Sequence, residues 1–485
     1  MQPVNLTRIA KRRLRQVIPA GLGWDQSNWP LTIDLIENNI GRRPIFAPSL
    51  DVTSLASYLA CLTGPTIYAK ANSAAPAGSG TSGDPYRSIW SAIAAANSGG
   101  VPCNIVCEKN GSEIFTKDRN FTQGVVTNVP TVDIRFVAKG GRIVSSTQDT
   151  NITSWSVDGT FGYTYKPNTT IGDVARVLDI GQRDHLGLHP DLVQVSTAQQ
   201  CQDTPGSWAL VSTTLYVHRA DCQPVTNQNT RVLRRTANFA VSGATQRNLF
   251  LTGEFAGDGF DLEGGALTGG ARGVVNIGYS ASSVTKKIFY AKGCSFRYGG
   301  IWGGNSDSSN GISGNNMSGL IYLDLCDASG NKNDGINIHD TNAYGLDVLT
   351  VHCTGFGNGI IGGTSCNGWT LHEAVRGIDV GGWYEGNGGG NVHLIDDSMA
   401  ALYGTVCRRS RGDRILFATN SYEPFEVRAD DNAEMWLYGT RPEPLHSAAW
   451  AHVATGAAII RKNGVWRSHG HDLKTGTAQI LEEAA

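Results

Sequence analysis

The chain is poor in charge. Asp, Glu, Lys and Arg make up 17% of its 485 residues, below the roughly 25% of ordinary globular chains, and 40 basic against 42 acidic side chains leave a net charge of −2. A surface that tracks a phosphate backbone needs a basic excess, so no nucleic-acid partner is expected, and a neutral sugar fits better. Long apolar runs are also missing. Without a stretch of about 18 apolar residues, no membrane insertion is expected. The basic run Lys11 to Arg15 is not followed by the apolar segment of a secretory signal, so the expectation is cytoplasmic synthesis without a signal peptide. The 10 cysteines show no disulfide framework, and Cys103 and Cys107 have no second pair at zinc-finger spacing, so no metal is assigned. Cys294, Cys326 and Cys353 fall inside strand-like runs and read as buried, reduced thiols.

What the chain has in excess is glycine, 60 residues in 485, so it turns often. Residues 1–65 stand apart, with the basic run, Trp24, Trp29 and a short helical pattern after Asp51. They read as a small N-terminal adaptor arm or as a poorly ordered tail. A strand at Thr66 to Lys70 and a Gly/Ser/Ala loop then lead to Asp84 and Pro85, which mark the start of a helix near 85–97 closed by Gly99-Gly100. Ile89, Trp90, Ile93 and Ala94 share one face of it, and the open end of a stack of strands is the natural target for that face.

"GTSGDPYRSIWSAIAAANSGG" resembles the opening of right-handed parallel β-helix proteins of the pectate-lyase-like superfamily, where a similar turn and a Ser/Ala-rich capping helix precede the coils. Strand-turn units then recur from Arg247 at roughly 20 to 25 residues, among them "GLIYLDLCDASGNKNDGI", "GLDVLTVHCTGFGNGI" and "GDRILFATNSYEPFEV". Cys294, Cys326 and Cys353 hold one place in three of them. Such a period is that of a solenoid of parallel strands. The expected fold is all-β, a right-handed parallel β-helix over 66–470, with an irregular insertion near 130–235 that contains a hairpin at "SWALVSTTLYVHRADCQPV". A C-terminal tail over 471–485 would follow.

On such a solenoid, outward residues of successive coils stack about 4.8 Å apart, so acids and imidazoles distant in sequence become neighbours. Asp334, His339 and Asp340 lie on one coil, His352 on the next, His372, Glu373 and Asp379 on the third, and Asp396 and Asp397 after that. Two or three stacked acids are what glycoside hydrolysis needs: one protonates the leaving oxygen while the other activates water or attacks. Asp334, in "NDG", reads equally as a turn former. Arg376, Trp383, Tyr384 and Glu385 offer a charge partner and aromatic platforms for a sugar ring, or else ordinary packing.

The run Asp334 to Gly404 also looks like tail-spike and prophage tail-associated β-helix proteins, in which a DGxxxH coil precedes NGxTxHD, GGxY and Asn-Val coils. Carried over residue by residue, the likeness touches Asp334, Gly335, His339, His372, Gly382, Tyr384, Asn391 and Asp396. Glu373 stands where that pattern has Asp. The resemblance implies a virion-borne, homotrimeric tail spike that binds and cleaves a bacterial surface polysaccharide and meets other tail or baseplate proteins through residues 1–65.

Three activities remain open on these residues. The first is a depolymerase hydrolysing glycosides with Asp340 and Glu373, with Asp334, Asp379 or Asp396 as alternative acids and His339 and His372 tuning them, without a cofactor. The second is a lyase, with His339 or His372 as base, Arg376 as neutraliser and a Ca2+ between Asp396 and Asp397. The third is a non-catalytic spike or baseplate protein.

Overall fold

The computed structural model describes residues 13–36, 45–71, 78–116, 129–243, 246–265, 273–279, 285–302, 309–359, 366–411, 425–445, 450–465 and 470–483. Their strands build a parallel β-helix. A full turn of the chain lays one strand on a twelve-stranded sheet, one on a narrow third face and one on a nine-stranded sheet, some turns lacking the third-face strand, and every pairing within these faces is parallel. Around the candidate residues, one rung comprises Leu346–Val351, Thr354–Phe356 and Asn367–Glu373. The next comprises Arg376–Val380, Trp383–Glu385 and Gly390–Leu394.

Alternation fixes which way each residue points. In the nine-stranded sheet Ile336, Ile338, Trp369, Leu371, Val392 and Leu394 join the interior cluster, while Asn337, His339, Thr370, His372 and His393 take the intervening, outward positions. Cys294, Cys326 and Cys353 do stack as buried free thiols in the interior, and Cys326 Sγ donates to Ala291 O at 3.3 Å. Their 32- and 27-residue steps are those of the rungs: Lys287 pairs with Gly319, and Gly319 with Leu346. A later turn is shorter, since Arg376 pairs with Met399, 23 residues on. Just before the cysteines, the corner residues Gly293, Leu325, His352, Gly381 and Gly404 all have φ between +49° and +66°. That conformation suits glycine, and only Leu325 and His352 depart from it here. Each corner N–H bonds the rung below, as in His352 N to Val380 O at 2.8 Å.

Several boundaries differ from the sequence reading. The capping helix is Ile89–Gly99, and its N-cap is Ser88, whose hydroxyl accepts from Ser91 N, rather than Asp84. It buries Ile89, Ala92, Ile93 and Ala96 on the first rungs, leaving Trp90 and Ala94 at the edge. Asp51 caps a short 3-10 turn, with the helix Ala56–Thr63 following. Ile134–Lys139 and Arg142–Ser146 already belong to the β-helix, so the insertion is confined to about 147–235, with antiparallel strands, its own apolar cluster and the expected hairpin, Ser207–Val211 with Thr214–His218. His471–Lys474 and Gln479–Glu482 add the last strands to the two large sheets, so the solenoid runs through the segment read as a tail. The strand expected just after Gly412 lies outside the described residues.

The arm is neither loose nor separate. Its strands Arg13–Gln16, Ile33–Ile36 and Ile45–Pro48 form an antiparallel sheet. Leu22, Trp24, Trp29 and Phe46 share a cluster with the outward side chains of the twelve-stranded sheet, from Phe250 to Trp436. Tyr403 donates to Val17 O at 2.9 Å, and Arg376 to Gly23 O at 2.8 Å. Fully burying such side chains is worth about 1.5–3 kcal/mol each, enough to hold the arm along many rungs.

Candidate active site

The described strand Asn367–Glu373 ends at a corner where the chain turns toward the twelve-stranded sheet. Asn316, Glu373, Asp396, Asp431, Gly456 and Gly476 repeat there with φ between +53° and +69°. Asn, Asp and Gly tolerate that region; Glu is the unusual occupant. Its longer side chain reaches the rung before it, where His339 Nδ1 lies 3.1 Å from both Glu373 carboxylate oxygens.

This coupling repeats along the sheet. His339 and His372 are register partners whose rings stack, centroids 4.0 Å apart. Asp396 lies one rung beyond His372, its Oδ2 4.0 Å from the imidazole Nδ1 and 3.3 Å from the Glu373 N–H that donates to it. His393 Nε2 lies 2.9 Å from Asp430, again one rung on. Each outward imidazole thus faces a carboxylate of the following rung.

Electrostatics separate the members. Burial, with the neighbouring His339 and His393, pushes His372 down to about 3, so its imidazole is neutral. Burial alone would raise Asp430, but hydrogen bonds from His393 and Arg428 outweigh it and hold that carboxyl below the usual range. His393 is itself pushed down by burial, against the opposing pull of Asp430. Side chains of His339 and Glu373 are 28% exposed and that of Asp396 is 47% exposed, so the corner is open to a solute.

Other expected site residues lie elsewhere. Asp340 is the register partner of Glu373, yet it is fully buried and accepts from the N–H groups of Tyr344 (2.9 Å), Gly345 (3.0 Å) and Leu346 (3.1 Å). It holds the turn to the next strand. Asp334 is buried beneath Asn337 and the Asn367 N–H, and burial pushes it up to about 7. Asp379 points into the solenoid, where Thr350, Thr405, Tyr384 and the Gly382 N–H all donate to it. Arg376 lies on the twelve-stranded sheet against Asp347 and the arm, and His352 on the corner over Gly381. Asp397 accepts from Asn432 Nδ2 at 2.9 Å, while the backbone N–H of the same Asn432 donates to the Asp396 carbonyl at 3.0 Å. Among the described residues, His339, His372 and Glu373 are the group whose ligand atoms lie within 4.8 Å of one another.

Trp383 and Glu385 sit on the third face. Trp383 is 42% exposed, Phe356 meets it edge-on, Arg408 lies over its ring at 5.6 Å, and its Nε1 donates to Glu385. Tyr384 between them is interior. The single cluster expected from sequence is therefore two outward surfaces on different faces plus an interior island. His393, Arg428 and Asp430 escaped the sequence reading, although the alternation in "NVHLI" places His393 on the outward side with Thr370.

No protein-family model matches the chain, and no curated protein sequence matches it. One similar solved structure is the tailspike protein gp49 from Pseudomonas phage LKA1, with 13% identity over 82% of this chain and 74% of that chain and a TM-score of 0.24. At that level of superposition the fold rests on the strand pairing above. Among the described residues no helix is long and apolar enough to cross a membrane.

Proposed function

We propose that the protein is a spike-type component of a phage or prophage tail that binds a bacterial surface polysaccharide and hydrolyses it at the corner after the nine-stranded sheet. The observation that carries this reading is the open Glu373 carboxylate, hydrogen-bonded to His339 with Asp396 one rung away. Glu373 is assigned as the acid–base residue, oriented by His339, and Asp396 as the second carboxylate. Trp383, with Arg408 over its ring, is assigned as a platform for a sugar further along a long ligand. A homotrimer on the virion, with the outer side of the arm toward other tail proteins, completes the reading. Elimination is disfavoured because Arg376, its expected neutraliser, is bonded to Asp347 on another sheet.

The test is a panel of bacterial capsular, exo- and lipopolysaccharides, following reducing ends and ultraviolet absorbance of unsaturated uronates together, for wild type and Glu373→Gln. Reducing ends without absorbance, lost in the variant, are expected. Absorbance rising with reducing ends would replace hydrolysis by elimination, and binding without either product would leave a receptor-binding spike.

A further inference from the structure

We propose that His339, His372 and Glu373 form a binding site for a divalent cation of the zinc class, and that its occupancy withdraws Glu373 from acid–base work. The second half rests on the hydrolase reading; the first rests on geometry alone. Two imidazole nitrogens and a carboxylate oxygen, each one ligand atom, lie within 4.8 Å of one another. Metal–ligand bonds of about 2.0–2.2 Å span such separations with small side-chain movements. The donor set also discriminates: imidazole nitrogens suit zinc and its transition-metal neighbours, whereas calcium and magnesium prefer oxygen shells.

The surroundings favour a ligand. His339 Nδ1 already approaches both Glu373 oxygens, so nitrogen and oxygen donors face one point from consecutive rungs. His372 is 18% exposed, and its Nδ1 stops 4.0 Å short of Asp396, beyond hydrogen-bond reach. Three protein ligands leave a fourth position, which water from the open side or Asp396 can fill. The interior cysteines, which could compete for zinc elsewhere, are almost all buried as free thiols.

The test uses the full chain, stripped with a chelator and dialysed, then titrated calorimetrically with Zn2+ and, in parallel, with Co2+ followed by visible absorption. Expected are a single saturable ion per chain, d–d bands of nitrogen and oxygen ligation, and affinity weaker by about tenfold or more in His372→Ala and in Glu373→Gln. Thermal melting of each variant checks folding, and Glu373→Gln carries the test if His372→Ala does not fold. Absent saturable binding, affinity unchanged in the folded variants, or a thiolate-to-cobalt charge-transfer band would overturn the site. With a cleaved polysaccharide in hand, saturating Zn2+ should suppress the rate reversibly; an unchanged or faster rate overturns the competition. Zinc bound but no polysaccharide cleaved would instead remove the hydrolase reading, and with it the competition, while leaving the cation site.

Discussion

The imidazole of His339 lies flat against that of His372, with ring planes 12° apart, and Glu373 reaches back past its own neighbour to His339. The acid and the base that orients it therefore come from successive rungs. Their alignment depends on the parallel register of Ile336–Asp340 with Asn367–Glu373. Glu373→Gln keeps the shape and removes the proton transfer. Cleavage should fall by about 10²–10⁴-fold with thermal stability nearly unchanged. Release of reducing ends, compared with a melting curve, checks this, and a variant retaining most of the wild-type rate sinks the assignment.

Asp340, one rung earlier in the same column, should behave oppositely. Asp340→Ala leaves three backbone N–H groups of the 340–346 turn without their acceptor, a loss of about 1–3 kcal/mol. Below its melting transition the variant should turn over polysaccharide at the wild-type rate. A large rate loss with normal stability would return Asp340 to the catalytic group.

Residue chemistry and period made the solenoid legible, because buried columns repeat: the cysteine steps in the sequence are the rung steps in the structure. Of the candidate site, the acid column Asp340, Glu373 and Asp396 and the pair His339 and His372 were readable for the same reason. Which carboxylates turn inward was not. Asp340 and Asp334 are used by turns, and Asp379 by three interior hydroxyls, two of them, Thr350 and Thr405, from neighbouring rungs that sequence spacing does not place. Nor does Arg376 announce that its partner is an arm more than three hundred residues earlier.

Arg376 gives a separate prediction. It pairs with Asp347 at 2.8 Å, and Asp347 is fully buried and pushed up to about 7 by that burial. Arg376→Ala should cost about 3 kcal/mol, the lower end for breaking a buried pair, since Arg376 itself is partly exposed. Without the guanidinium, Asp347 takes up a proton more readily, so the loss should be larger at pH 8 than at pH 5. Loss of the Gly23 contact should also speed proteolysis within residues 13–63, while polysaccharide cleavage by intact protein is unchanged. Unaltered proteolysis would show that the arm is held without this bond.

Glu426 supplies a pH dependence whose sign can be worked out. It is fully buried on Phe425–Ala429, accepts from Ser410 N at 3.2 Å and Ser410 Oγ at 3.1 Å, and receives Asn391 Nδ2. Burial pushes it up to about 8, against an ordinary value of 4.5. Between those values the folded protein keeps a proton that the unfolded chain has released. Raising the pH therefore removes stability through this window, at about 1.4 kcal/mol per pH unit for one proton. Asp334 and Asp347, both raised to about 7, act in the same direction. His372, held neutral in the fold, acts oppositely as the unfolded chain gains its proton in acid. Glu426→Gln mimics the protonated form and isolates one contribution from the rest. Denaturant unfolding should show the variant equal to wild type near pH 4.5 and progressively more stable than wild type toward pH 8. A constant offset at every pH would mean that Glu426 is ionised in the fold, its carboxylate held by the donors of Ser410 and Asn391.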